Sequence, residues 1–148
     1  MITFHRSVRT AFASLVVLLA ACATAAPTFS TEVRHIKRKD LKHFWVMDTV
    51  SFVSDPSAAA ATLEGANGFV LAEIVIDSNG RVVEHKIVQS EPSGLFTSDA
   101  ERLFRLSRYV PAPDNHARVP VRVLAAITFG NSEEAQERFH RVIEEKDW

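Results

Sequence analysis

The sequence predicts an α+β domain, in which a small antiparallel three-stranded sheet has a helix packed on one face and is followed by a C-terminal amphipathic helix. Three observations predict this class. Two alternating strand patterns flank an Asn-Gly turn, an amphipathic helical pattern follows them, and a third alternating strand precedes a last helix. The predicted order is therefore β-β-α-β, then the C-terminal helix.

The first two strands read as a hairpin. One face of the first strand carries four apolar residues: Val70, Ala72, Ile74 and Ile76. The segment Asp77-Ser78-Asn79-Gly80 supplies the turn, because Asn and Gly tolerate positive φ. In the second strand, RVVEHKIVQS, the alternation predicts one face of Val83, His85 and Ile87 and an opposite face of Val82, Glu84, Lys86 and Val88.

A helix follows the hairpin. Ser98-Asp99-Ala100-Glu101 fits a capping box, with serine as the N-cap and glutamate three residues later. Helical spacing predicts an inward stripe of Ala100, Leu103, Phe104 and Ser107, with Arg102, Arg105 and Arg108 pointing outward. Pro111 and Pro113 end the helical region.

The last two elements are a strand and a helix. The run PVRVLAAITF predicts a third strand with Val121, Val123, Ala125, Ile127 and Phe129 on one face, and Arg122 and Thr128 on the other. Asn131-Ser132-Glu133-Glu134 then predicts the start of the C-terminal helix. Its amphipathic seam consists of Ala135, Phe139, Val142 and Ile143.

Residues 1–25 predict a targeting segment, because a positive start precedes the apolar run FASLVVLLAA, Phe12–Ala21. Three interpretations remain open. Leu19-Ala20-Ala21-Cys22 resembles a bacterial lipobox, in which Cys22 becomes the acylated N-terminus. Ala23-Thr24-Ala25 fits ordinary signal cleavage, and the uncharged stretch Thr10–Thr31 is long enough for an uncleaved membrane anchor. Each interpretation places the domain outside the cytoplasmic membrane, in the periplasm of a bacterial envelope. The lipid anchor and the uncleaved anchor would also attach it to a membrane.

Residues 26–67 predict a basic linker with an additional strand within Phe44–Val53, residues 68–130 the main domain, and residues 131–148 the C-terminal helix. The linker contains five basic residues: Arg34, Lys37, Arg38, Lys39 and Lys42. Each such charge is worth about 1 kcal/mol beside an anionic membrane. A solvated linker is the simpler interpretation, and we favour it.

The composition argues against nucleic-acid binding, since the formal net charge is −1. The five glycines lie in turns or at element boundaries, so no glycine-rich phosphate loop is present. The single cysteine excludes an internal disulfide bond, and lipidation explains Cys22 better than nucleophilic catalysis.

No residue pattern predicts catalysis or a metal. Asp77-x-Asn79-Gly80 is similar to the start of a calcium loop, but the further oxygen ligands and the closing glutamate are missing. The histidines His5, His35, His43, His85, His116 and His140 show no metal-ligand spacing. His85 is expected to be a half-buried strand residue rather than a base. Ser98 and Asp99 have no nearby histidine partner. We therefore expect a protein without catalytic residues, cofactor, metal or small-molecule substrate.

Taken together, these patterns resemble the TonB C-terminal domain family over about Gly68 to Phe129. The resemblance consists of an ordered set: Gly68 opening a strand, Asp77-x-x-Gly80-x-Val82 at the turn, a strand ending near Ser90, the Ser98–Ser107 helix, Tyr109-Val110-Pro111-Ala112, and a last strand ending in Phe129.

The resemblance implies a binding function. Domains of this family bind an N-terminal segment of an outer-membrane receptor, which adds to a sheet edge as a further strand. An inner-membrane proton-driven complex supplies the energy. The implied docking site is a sheet edge beside the Gly68–Asp77 hairpin or the Val121–Phe129 strand, and the implied partner is an outer-membrane receptor or another envelope protein.

Two hypotheses follow for the function. The first is a protein-binding module, either a reduced energy transducer or an accessory. The second is an envelope structural or assembly lipoprotein that uses the same small fold without energy transduction. Family transducers carry a long proline-rich spacer, whereas the 46 residues from Cys22 to Gly68 reach at most about 150–165 Å when fully extended. An edge strand free of the C-terminal helix favours the first hypothesis.

Overall fold

The computed structural model describes residues 26–48 and 66–146. The described elements, in chain order, are β1 (Arg34–His35), a 3-10 helix (Arg38–His43), β2 (Trp45–Met47), β3 (Gly68–Ile76), β4 (Val82–Glu91), α1 (Thr97–Leu106), β5 (Tyr109–Pro111), β6 (Val121–Phe129) and α2 (Glu133–Lys146). The α+β class is confirmed. Of the strand predicted within Phe44–Val53, β2 is observed, and residues 49–53 lie outside the described residues.

The main sheet has four strands among the described residues, in the order β1-β6-β3-β4, rather than the three predicted. The central strand β3 is antiparallel to β4 and to β6. The added strand β1 is parallel to β6 and pairs Arg34 with Val121 and His35 with Arg122. A two-residue strand is too short to show an alternating pattern, so no periodicity predicts it.

Both faces of β3 are buried. Val70 and Ile74 face a core completed by Phe96, Ala100 and Phe104 at and within α1. On the opposite face, Phe69 and Leu71 pack against α2, where the Phe69 and Phe139 rings lie 5.7 Å apart, centroid to centroid. The predicted face of β6 packs in the first core, as do Ala100 and Phe104 of the α1 stripe, and Phe139, Val142 and Ile143 of the α2 seam pack in the second. Helix α2 is thus a structural layer, and β3 is shared between the two apolar clusters.

The predicted faces of β4 are wrong at Val82, which lies in the core with 8% of its surface exposed. The pairing register explains the error. Ile76 pairs with Val82 while Val75 pairs with Glu84, so Val83 is an extra residue at an irregularity in the ladder. A β-bulge inserts one residue and shifts the alternation, which moves Val82 to the face occupied by His85 and Ile87.

The predicted capping box is also wrong. Helix α1 begins at Thr97 with Phe96 in the N-cap position, and no side chain caps it. Phe96 is fully buried and its ring stacks on Phe129 with centroids 4.4 Å apart. Burial of this aromatic residue places the N-cap two residues earlier than the capping pattern predicts, so Ser98 lies inside the first turn.

A two-stranded ribbon of β2 and β5 packs over the hairpin turn. Trp45 is 1% exposed, and its indole Nε1 donates a hydrogen bond to the Val119 carbonyl oxygen at 2.8 Å. Gly80 has φ +75°, and a Cβ there would collide with the Tyr109 carbonyl oxygen. The turn therefore needs glycine for both its backbone conformation and the close approach of β5.

Candidate partner-binding edge

The candidate site is the outer edge of β6 beyond its short pairing with β1. Ile36 N–H donates to the Arg122 carbonyl oxygen at 3.0 Å, so the backbone groups of Arg122 point away from β3. Because alternate residues of a strand point their backbone groups to the same side, those of Leu124, Ala126 and Thr128 also point outward. Within residues 26–48 and 66–146, no backbone hydrogen bond of β1 continues past Ile36 onto this edge.

This edge of β6 is regular and nearly uncharged. Its nine residues, Val121–Phe129, pair with Gly68–Ile76 without a register shift. Between Leu124 and Phe129 the side chains are apolar except for Thr128. A regular, uncharged edge is the kind to which an extended peptide adds as a further strand.

The opposite edge of the sheet, β4, is irregularly paired and carries charged residues. Its pairing with β3 shifts register twice, between Leu71 and Ala72 and between Val75 and Ile76. Glu84 and Lys86 are exposed along it. Bulges and charges are the devices by which proteins block unwanted strand pairing at an edge.

Helix α2 covers the face of the sheet that carries Phe69 and Leu71 of β3 and Leu124 of β6. Arg138 Nε on α2 lies 2.7 Å from Glu91 Oε1 at the end of β4, and α2 packs on the face of β3 through Phe139. The C-terminal helix therefore covers a face of the sheet and is held at the end of the β4 side.

A recess of about 270 Å³ adjoins the β6 edge where β1 leaves it. Ile36, Lys37 and Arg38 line one side, and Arg122 and Leu124 line the other. Arg122 donates hydrogen bonds of 2.9 Å to Glu73 and to Glu84. These bonds, the one to Glu73 first, raise the pKa of Arg122 above its ordinary value.

The chain before β1 is bound to the hairpin turn, and we call this contact the N-terminal clasp: residues 26–30 against residues 77–81. Arg81 Nη2 donates to the Ala26 carbonyl oxygen at 2.8 Å, Ser78 N–H donates to the Thr28 carbonyl oxygen at 2.8 Å, and Thr28 N–H donates to Asp77 Oδ2 at 3.2 Å. Ser30 N–H donates to Ser78 Oγ at 2.8 Å. Nothing in the sequence Ala26–Ser30 predicts this contact.

Asp77 is the centre of the clasp. Its side chain is fully buried and pairs with Arg81 at 2.9 Å. Burial raises the pKa of the Asp77 carboxyl, but hydrogen bonds from Arg81, Thr28 and Asn79 outweigh burial, so the pKa lies below its ordinary value. Burial also raises the pKa of Tyr109 to about 12.

The residues considered for metal binding or catalysis lie in a turn, a strand and a helix. Asp77, Asn79 and Gly80 form the turn, and only Gly80 has positive φ. Within the described residues, no group of three or more His, Cys, Asp and Glu side chains could hold a metal ion. His85 is half-buried on β4, and Asp99 lies in the first turn of α1 beside Ser98. Cys22 lies outside the described residues.

Comparisons with known proteins give the family of the central part of the chain. A family model described as the Gram-negative bacterial TonB protein C-terminal matches residues 58–130. These residues belong to the TonB C-terminal domain family, a non-catalytic protein-interaction domain of envelope-associated periplasmic proteins. The identification covers the hairpin, α1 and β6, whereas β1, the clasp and α2 lie outside the matched residues.

One solved structure similar to this chain is the solution NMR structure of the Pseudomonas aeruginosa TonB C-terminal domain. It is 21% identical, the match covers 47% of this chain and 71% of that one, and the TM-score is 0.40. No curated protein matches the chain. No helix among the described residues has the length and apolarity needed to cross a membrane.

Proposed function

We propose that this protein is a periplasmic protein-binding module that captures an extended segment of an outer-membrane receptor or another envelope protein by strand addition. The observation that carries the proposal is the outward edge of β6, where Leu124, Ala126 and Thr128 point their backbone groups away from β3. Main-chain hydrogen bonds to this edge supply affinity for a segment of little fixed sequence. Membership in a family of interaction domains supports the same function.

The β6 edge is favoured over the β4 edge for two reasons. The bulges and charges of β4 oppose pairing, whereas the pairing of β6 with β3 is unbroken. Helix α2 packs on a face of the sheet, against β3 and Leu124 of β6, and among the described residues it makes no backbone hydrogen bond to the outer edge of β6. An edge strand that the C-terminal helix does not pair with favours a binding module over an assembly lipoprotein that merely uses the same fold.

The experiment uses proline as a backbone probe. Ala126→Pro removes an outward N–H from β6, and His85→Pro removes an outward N–H from β4. The N–H of His85 points outward because His85 lies opposite Ile74, whose own backbone groups face β6 and not β4. The two variants lose the same kind of group at opposite edges. The ligands are synthetic peptides spanning the N-terminal segments of outer-membrane receptors encoded in the same genome, titrated against the full chain in neutral detergent.

We expect Ala126→Pro to weaken binding of a recognised peptide about tenfold or more, since a lost hydrogen bond and the proline ring both oppose pairing. His85→Pro should leave binding within about twofold of the unaltered protein. Hydrogen exchange at the amides of Leu124, Ala126 and Thr128 should slow when peptide is bound. Slowed exchange at His85 and Ile87 instead would move the site to β4, and absence of binding by every peptide would favour the assembly lipoprotein.

A further inference from the structure

The outer face of the β2-β5 ribbon is apolar and exposed. Trp45 of β2 and Tyr109 of β5 are buried in the first core. Because successive side chains of a strand point to opposite faces, their neighbours Val46 and Val110 point away from that core. The two valines lie opposite each other in the ladder, and they are 46% and 47% exposed. The ribbon therefore presents an apolar pair to the surroundings of the domain.

The N-terminal clasp places a further apolar side chain at the same end of the sheet. Phe29 is 46% exposed. Its neighbour Ser30 donates from Oγ to the Arg118 carbonyl oxygen at 3.2 Å, and the next carbonyl, that of Val119, accepts the indole hydrogen bond of Trp45 at 2.8 Å. The clasp and the ribbon are thus joined through this loop, and both contact the hairpin turn.

Exposed apolar side chains are concentrated in this region. Among the described residues, seven large apolar side chains are exposed. Four of them belong to the ribbon and the clasp, and we call this group the apolar end: Phe29, Val46, Met47 and Val110. Single exposed apolar residues are normal on a soluble protein, but several in one region mark a surface that contacts a partner or a membrane.

Exposed basic residues flank the apolar end. Lys42 lies just before β2, and Arg118 lies in the loop between β5 and β6; both side chains are exposed. Of the acidic residues in the same segments, Asp114 is exposed and Asp48 is half-buried. Apolar side chains next to cations suit the surface of an anionic bilayer, because apolar groups enter the boundary between headgroups and acyl chains while cations pair with phosphate.

We propose that the apolar end is a membrane-contact surface, and that the partner it fits is a bilayer containing anionic phospholipid. The path of the chain argues for this occupant. Arg81 Nη2 binds the Ala26 carbonyl oxygen at 2.8 Å beside the hairpin turn. The residues before Ala26 form the predicted targeting segment, and two of its three interpretations attach the chain to a membrane. A second copy of the chain fits less well, since a symmetric contact would bring the flanking cations of both copies together.

This inference goes beyond the proposed function, and it gives the β6 edge an orientation. Val121 pairs with Ile76 next to the hairpin turn, and Phe129 pairs with Gly68 at the other end of the sheet. Thr128 lies about 24 Å along the strand from Val121. With the apolar end on the bilayer, the edge extends away from the lipid surface, and its part near Thr128 faces the periplasm.

The test uses the full chain in nanodiscs of phosphatidylethanolamine and phosphatidylglycerol, with a gadolinium chelate on a fraction of the headgroups. Gadolinium broadens the backbone amide signals of residues that lie close to the lipid surface. We expect the signals of Phe29, Val46 and Val110 to broaden strongly. The signals of Gly68 and Leu95, at the other end of the sheet, should stay sharp. Nanodiscs of phosphatidylcholine alone should weaken the broadening at the apolar end.

A pair of substitutions tests the apolar contact. Val46→Ser with Val110→Ser removes the valine pair of the ribbon. Val88→Ser with Leu95→Ser is the matched control, because these side chains are exposed to a similar extent, 39% and 44%, outside the apolar end. The first variant should lose most of the broadening at positions 46 and 110, and the control should retain it.

The basic residues are tested separately. Lys42→Gln with Arg118→Gln should lower the ratio of docked to undocked protein about tenfold. Arg105→Gln with Arg141→Gln removes two exposed charges from the helices and should leave this ratio unchanged. Amide spectra in neutral detergent verify that each variant keeps the fold.

Equal broadening at the two ends of the sheet, or equal effects of the two serine variants, would overturn the inference. A dimer in neutral detergent that dissociates when Val46 and Val110 are replaced would assign the apolar end to a second copy, and would also overturn it. Peptide binding at β6 and its loss in Ala126→Pro are measured without a bilayer. Failure of this inference is therefore distinguishable from failure of the proposed function.

Discussion

At the scale of single residues, the buried carboxylate of Asp77 joins the hairpin turn to the N-terminal segment. The sequence identified Asp77 as a turn residue and excluded it as a calcium ligand by its missing partners. The sequence could not show that the same carboxylate accepts a hydrogen bond from Thr28, 49 positions earlier in the chain. Such a contact depends on the path of a segment with no periodicity of its own.

Asp77→Asn should lower the free energy of unfolding by about 2–3 kcal/mol, because Arg81 loses its buried charge partner. Asp114→Asn, an exposed aspartate, is the matched control and should change stability by less than about 0.5 kcal/mol. Denaturant unfolding at neutral pH measures both. Equal stability of the two variants would show that the Asp77 carboxylate contributes nothing to stability.

The same residue gives a pH dependence. The folded-state pKa of Asp77 is lowered, so its contribution to stability is complete above its unfolded pKa of about 3.9 and is lost as the pH falls through the folded-state value. Between about pH 5 and pH 3, the unaltered protein should therefore lose more stability than Asp77→Asn does. Parallel stability profiles for the two proteins over that interval would contradict this assignment.

At the scale of elements, helix α2 follows its sequence pattern closely. Ala135, Phe139 and Ile143 recur at a spacing of four, and all three are buried. Ser132 accepts a hydrogen bond from Ala135 N–H at 3.4 Å at the predicted start of the helix. The helical pattern does not predict the surface on which α2 packs. That surface contains Phe69 and Leu71, which lie on the face of β3 opposite the apolar face that the sequence predicts.

Phe139→Ala should destabilise the protein by about 3 kcal/mol, since it removes the ring that packs on Phe69 and leaves a cavity at the second apolar cluster. Glu137→Ala on the exposed face of the same helix is the control and should be nearly neutral. Thermal unfolding of the two variants measures the difference. A Phe139→Ala variant as stable as Glu137→Ala would mean that α2 is not packed on the sheet.

Strand β4 shows where sequence periodicity fails. Its residues alternate regularly in the sequence, yet the extra residue at Val83 reverses the phase, so that Val82 and not Val83 lies in the first core. A bulge leaves no reliable mark in a single sequence, because Val suits either face of a strand. The β6 face was predicted correctly since its pairing with β3 is unbroken.

At the scale of the whole molecule, β3 connects the two apolar clusters. Val70 and Ile74 belong to the cluster of α1, and Phe69 and Leu71 to that of α2, so neither helix can lose its support without affecting the other. The sequence predicts a helix on one face of the sheet and favours packing of the C-terminal helix onto its own domain, but it does not indicate the face. Which face α2 covers depends on contacts distant in the chain.

Unfolding should therefore be a single cooperative transition. Trp45, which is 1% exposed in the α1 cluster, reports that side by fluorescence in a Trp148→Phe background, and far-UV circular dichroism reports both helices. The two denaturation curves should coincide. A helical signal lost well before the Trp45 signal would show that α2 unfolds on its own.

The N-terminal clasp also sets a length. The 46 residues from Cys22 to Gly68 give their full extended reach only if the whole segment is unbound. The clasp holds the chain from Ala26 onward against residues 77–81, so this full reach is not available. For a protein lipidated at Cys22, four residues remain as a tether, with a reach of about 14 Å. In that case the hairpin turn lies next to the membrane, and the partner segment that we propose has to reach that surface to be bound.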